Sequence, residues 1–199
     1  MTPTADRLIE SLSDVARDGA VRAGRAITGL MGQRILIHVP SVRLGTKVDA
    51  CDAVGGEEAV VLGGYLSITG DITGHVMLLF PLSRAFECVD LMCGQPSGTT
   101  RELSELTESA IGELTNIVGS AFINALADHA HLILHPSPPT ICHDMALALV
   151  ESIYAEVLSQ DGDVVMIDTV FEDQKGRTAG LLIVAPDPPT LATILGSAR

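Results

Sequence analysis

The chain has 199 residues, of which 47% are hydrophobic and 19% charged, and it carries a formal charge of −13 with 3% aromatic residues and no Trp. This is the composition of a globular chain with ample material for a core, not of a disordered one. It excludes nucleic acid as a partner, which needs clustered Lys/Arg and stacking rings, and it disfavours anionic membrane surfaces while suiting a protein partner with a basic rim.

No apolar run approaches the roughly eighteen residues of a membrane span, and the first six residues lack a basic segment leading into an apolar one. A cytoplasmic location is therefore expected. The four cysteines, Cys51, Cys88, Cys93 and Cys142, form no CxxC pair. Cys88 and Cys93 lie in an apolar helical stretch and are expected to be buried, reduced thiols.

From the N-terminus, residues 9–40 read as a helix running into a strand, RILIHVP. Adding 99 to each number lands on residues 108–139 without a gap: Asp14 falls on Glu113, Arg17 on Asn116, Ile27 on Leu126 and Pro40 on Pro139. The chain therefore reads as a duplication. Residues 41–58 are glycine-rich and expected to be extended or loop, with Val42 and Leu44 as edge-strand residues. Residues 59–68 and 74–80 read as a strand pair around Thr69-Gly70-Asp71, and a helix is expected to open at Ser83 and run to Cys93. The stretch 95–100 is the connector between the halves.

Residues 101–135 read as one long helix into a strand. At roughly 100° per residue, Leu103, Ala110, Ile111, Leu114, Val118, Ala121, Phe122 and Ala125 share a broad apolar face that should be buried. Opposite lies a stripe of Glu105, Ser109, Glu113, Asn116 and Ser120, all expected to point to solvent or a partner. Asparagine is a poor choice at an ordinary solvated helix position. Gly112 and Gly119 flank the stripe and cost roughly 1 kcal/mol each relative to alanine, which reads as bare backbone left open for another molecule.

In the second half, residues 142–159 read as a helix with Met145, Leu149, Ile153 and Val157 in an i, i+4 stripe. Residues 163–171 and 179–185 read as strands around Asp173-Gln174-Lys175-Gly176, followed by a helix over 189–197. The sum is an α/β chain of α+β type: a single domain over 1–199 made of two pseudo-symmetric halves, about 7–94 and 101–198. The halves would pool their strands in one largely antiparallel sheet with the two long helices displayed on one side.

The pattern Ser109-x3-Glu113-x2-Asn116, followed by Ala125-Leu-Ala-Asp128 and then Pro138-Pro139-x4-Asp144-Met145, resembles the CheC/CheX/FliY family of chemotaxis phosphatases. The resemblance implies a CheC-like duplicated fold and hydrolysis of the aspartyl phosphate of a CheY-type response regulator, whose active site holds Mg²⁺. No cofactor is implied in this chain. It further implies that Asn116 positions the attacking water and Glu113 pairs with the regulator's active-site lysine, with Ser109, Glu105 and Ser120 in supporting contacts. Some members also bind the receptor deamidase CheD.

The first half departs from the motif. Glu10, Asp14 and Arg17 stand where Ser109, Glu113 and Asn116 stand in the second. A guanidinium has no acceptor with which to place a water, so Asp14 and Arg17 read as a degenerate site and a solvated i, i+3 pair. His129, His131, His135 and His143 have the density of a metal site without a carboxylate in register, and no metal is expected. No serine sits in a GxSxG context and no glycine pair precedes Lys-Ser/Thr. The alternative is a non-catalytic adaptor or switch protein binding CheD or a response regulator, although nothing after Arg199 is left for a switch-assembly domain.

Overall fold

The computed structural model describes residues 3–157, 164–174 and 176–186. Its elements in order are α1 (Pro3–Met31), β1 (Leu36–His38), β2 (Val42–Gly45), α2 (Lys47–Ala53), β3 (Val60–Gly70), β4 (Gly74–Pro81) and α3 (Leu82–Met92). There follow α4 (Glu105–Ala130), β5 (Leu134–Pro136), β6 (Thr140–Met145), α5 (Ala146–Val157), β7 (Val164–Glu172) and β8 (Arg177–Pro186). The helix expected over 189–197 lies outside the described residues.

The strands form one eight-stranded sheet in the order β1-β7-β8-β4-β3-β5, with β2 also on β7 and β6 also on β3, and every pairing is antiparallel. Exchanging each strand for its counterpart in the other half returns the same order. The centre is the β4–β8 pair, with Met77 opposite Ile183, and each half lends its first two strands to the other half's sheet edge. Each half keeps only its β3–β4 or β7–β8 pair together.

The side-chain alternation of strands divides the core. Leu62, Val76, Leu78, Phe80, Val165, Ile167, Leu182 and Val184 face the layer of α1, α3 and α4. Their neighbours Val61, Met77, Leu79, Val164, Met166, Leu181 and Ile183 face α2 and α5. Both long helices therefore lie on one face. Gly19 of α1 packs on Phe122, where an added Cβ would stand 3.0 Å from the Phe122 Cα, and Ser11 meets His129, so the two helices run antiparallel.

Several expectations are corrected here. Residues 41–58 are not loop throughout: Thr46 caps α2 in a reciprocal box, its backbone N–H donating to Asp49 Oδ2 at 2.8 Å, a T-x-x-D signal obscured by the surrounding glycines. Residues 142–145 belong to β6 and not to a helix, because they complete the ladder on β3, which leaves Met145 49% exposed. Helix α3 starts at Leu82 behind Pro81, which gives no side-chain cap. Cys88 is buried, but Cys93 is exposed. Helix α4 is long and apolar enough to cross a bilayer by length and composition, but 61% of that apolar window is buried inside the protein, as in a core helix.

The connector between the halves is held by one carboxylate. Asp90, 2% exposed, accepts from the backbone N–H groups of Gly98 at 2.7 Å, Thr99 at 3.0 Å and Thr100 at 2.8 Å. Burial alone would raise its pKa, but the hydrogen bonds from Thr100, Thr99 and Gly98 together hold it below the ordinary value. Asp90→Asn should therefore cost about 2–3 kcal/mol at neutral pH. A depressed carboxylate stabilises above its unfolded pKa of about 4 and loses that contribution as pH falls through the native value. Urea unfolding should thus show the gap between variant and parent narrowing below about pH 4; a gap independent of pH would remove Asp90 from this role.

The candidate active-site stripe on α4

Ser104 opens α4 by accepting from the Thr107 backbone N–H at 3.3 Å, with Glu105 and Glu108 in the first turn where the helix dipole favours them. The helix closes at His131 in the left-handed conformation, φ 54°. Between these ends Ile111, Leu114, Val118, Ala121, Phe122 and Ala125 are buried, as the apolar periodicity requires. Leu103 precedes the helix, and Ala110 is only half-buried.

The stripe is present on the opposite side. Glu105, Ser109 and Glu113 are exposed, whereas Asn116 and Ser120 are half-buried and not fully open as expected. Asn116 lies about 40° around the helix from Gly112, and Gly112 rests on Ile141 of β6, so one flank of the carboxamide is sheltered. Among the described residues, Ser109, Glu113 and Asn116 make no hydrogen bond or ion pair through their side chains. A carboxamide half out of water with no partner of its own has donor and acceptor capacity to spare.

The flanking glycines are not room for a partner. A Cβ on Gly119 would stand 2.2 Å from Leu66 Cδ1, and one on Gly112 would stand 3.3 Å from Ile141 Cδ1; both positions are buried. They let α4 sit close on the sheet. A third contact does the same from below: Gly64 of β3 faces Thr115, whose hydroxyl donates to the Ile111 carbonyl at 2.8 Å. The stripe's neighbour in sequence is thus pinned to the sheet.

In the first half, Arg17 Nη1 lies 3.4 Å from Asp14 Oδ1, with side chains 65% and 68% exposed, the geometry of a solvated helical pair. Asp128, at the end of the Ala125-Leu-Ala-Asp128 pattern, accepts from Arg22 at 2.6 Å. Arg22 also holds Asp18 at 2.6 Å, and its pKa is raised by Asp18 first and Asp128 second. This ion bridge ties α1 to α4. Its Asp18–Arg22 half is legible as an i, i+4 spacing, but its reach to Asp128 is not. The histidines are dispersed: His129 lies 3.1 Å from Ser11 Oγ, His131 closes the helix, and His135 and His143 stand exposed on β5 and β6. Among the described residues no group of three potential ligands is placed to hold a metal.

The family model for chemotaxis phosphatase CheX matches residues 62–161, which include the whole of α4 and of β4 to β6 and most of β3. The CheY-P phosphatase CheC of Bacillus subtilis (strain 168) is 31% identical over 169 residues, covering 83% of this chain and 80% of that protein. The chain belongs to the CheC/CheX/FliY family. Its fold agrees with the crystal structure of Thermotoga maritima FliY at a TM-score of 0.80 and 16% identity, over 100% of this chain and 97% of that one. It also agrees with the FliM middle domain from H. pylori at 0.69 and 13% identity, over 99% of each. At those identities the likeness is one of fold. Within the CheC/CheX/FliY family the chain combines an unengaged Ser/Glu/Asn stripe on α4 with an ion-paired Asp/Arg at the matching place on α1.

Proposed function

We propose that this protein accelerates hydrolysis of the aspartyl phosphate of a CheY-type response regulator, with α4 as the working surface. The observation that carries the reading is the unengaged Glu113/Asn116 pair on a helix whose other sides are committed to the sheet and to α1. Hydrolysis of an acyl phosphate beside a regulator's own Mg²⁺ demands an in-line water more than strong acid-base power. Asn116 supplies the position: its amide reaches into the regulator's pocket, its oxygen accepts from the water, and the approach is fixed by geometry. Glu113, one turn earlier and exposed, pairs with a lysine of the regulator and sets the docking register. Ser109, Glu105 and Ser120 extend the same contact along the helix. Asp14 and Arg17, already paired with each other, form the inactive counterpart.

The test is the decay of phosphorylated regulator with this protein added at well below stoichiometric amounts. Multiple turnovers support the reading. Binding without acceleration would instead favour the adaptor reading, with a regulator or CheD as the bound partner, to which the FliM-like fold lends support. Glu113→Gln should raise the protein concentration needed for half-maximal rate by about tenfold, as for loss of a charge pair across an interface, with little change in the rate at saturation. An unchanged concentration dependence would take Glu113 out of docking.

A further inference from the structure

A second surface lies on the first half, between α1 and β1. It is a groove of about 630 Å³, within the range of sites that accept a small ligand or a short peptide stretch. Ala20, Val21, Gly24 and Ile35 form an apolar floor, and Arg25 and Arg34 stand at its sides. Val21 and Leu36 are 49% and 37% exposed there. Gly29 also borders it, and a Cβ at that position would meet nothing within 4 Å.

The charges at this groove are unusual for the molecule. Arg17, Arg22, Arg43, Lys47, Arg84 and Arg177 each form an ion pair, and Arg101 donates to the Gly98 carbonyl. Among the Lys and Arg side chains that the structure describes, Arg25 and Arg34 are left with neither an ion pair nor a hydrogen bond. Both border the same apolar groove in a chain of formal charge −13, whose field repels acidic partners elsewhere. The pair is not a by-product of the duplication, since the offset of 99 places Asn124 and Ile133 at the matching positions.

We propose that this groove docks a short acidic segment of a partner protein, in which carboxylates alternate with apolar side chains. The apolar side chains would cover the exposed Val21 and Leu36, and the carboxylates would meet Arg25 and Arg34. Desolvation by the apolar floor strengthens those pairs relative to rim contacts. The proposal is independent of the α4 reading, because none of these residues belongs to the stripe.

The test uses the full chain and three fluorescein-labelled ten-residue peptides, alternating Glu with Leu, Lys with Leu, and Glu with Ser, read by anisotropy. The Glu/Leu peptide should bind, and the other two should bind at least about tenfold more weakly. Arg25→Glu combined with Arg34→Glu should weaken the Glu/Leu peptide by at least about tenfold, whereas Arg101→Glu, outside the groove, should leave it within about twofold. Gly29→Trp, at a position where an added Cβ meets nothing within 4 Å, puts bulk at the groove and should also reduce binding, with an unchanged thermal melt as the control for folding. Equal binding of the acidic and basic peptides, or no loss on charge reversal, would overturn the proposal. So would a concentration-dependent dimer abolished by the charge reversal but not displaced by the peptide, since that would assign the groove to a second copy.

Discussion

Replacing Asn116 by alanine should lower the stimulated decay of the regulator's aspartyl phosphate by at least about 100-fold, the scale of loss when a reacting group is misplaced. Docking should survive, because Glu113, Ser109 and Glu105 remain. The fold should also survive, since the carboxamide has no internal partner to lose and alanine is the better helix former by about 0.5 kcal/mol. A melt unchanged or slightly raised, combined with binding near that of the parent and little turnover, is the signature of a positioning residue. Asn116→Ala protein with undiminished turnover would mean that the water is placed by something else.

Gly64→Ala should be strongly destabilising, because it forces α4 away from the sheet. The new Cβ would stand 2.4 Å from Thr115 Oγ1, 2.6 Å from its Cγ2 and 2.7 Å from its Cβ, and Thr115 is fully buried. No rotamer of Thr115 relieves a clash with its own Cβ, so α4 must lift from β3. Overpacking of this kind costs about 1–3 kcal/mol or more, a fall in Tm of roughly 2–12 °C at this chain length. Asn116 follows Thr115 directly, so activity should fall further than the loss of stability explains. Thr115→Gly in the same chain removes the clashing atoms and should recover part of both losses. A Gly64→Ala protein that melts with the parent would show that helix and sheet are less closely locked than these distances require.

The duplication and the stripe were legible because both are written in local spacing: a gapless offset of 99, and a helical period that puts Glu113 and Asn116 on one side. What the sequence alone misplaced depends on the sheet. Gly112 and Gly119 look like openings on a helical wheel, yet an added Cβ there would meet Ile141 and Leu66. Met145 opens an apolar i, i+4 pattern that reads as helix from residue 142, but pairing of Leu62 with His143 and Gly63 with Cys142 makes residues 142–145 strand, a tertiary demand that overrides local period. Helix α2 was hidden by the glycines around a short capping box. The bridge from Arg22 to Asp128 joins residues 106 positions apart, beyond the reach of any spacing rule.

The most direct measurement is a crystal structure of this protein bound to a response regulator carrying beryllofluoride on its phosphoacceptor aspartate, a stable stand-in for the phosphoryl group. In that complex α4 should lie across the regulator's active site, with Asn116 within one water of the beryllium and Glu113 paired with a lysine of the regulator. A complex that left the α4 stripe in solvent, or that brought Arg17 of α1 to the beryllofluoride instead, would contradict the proposed function.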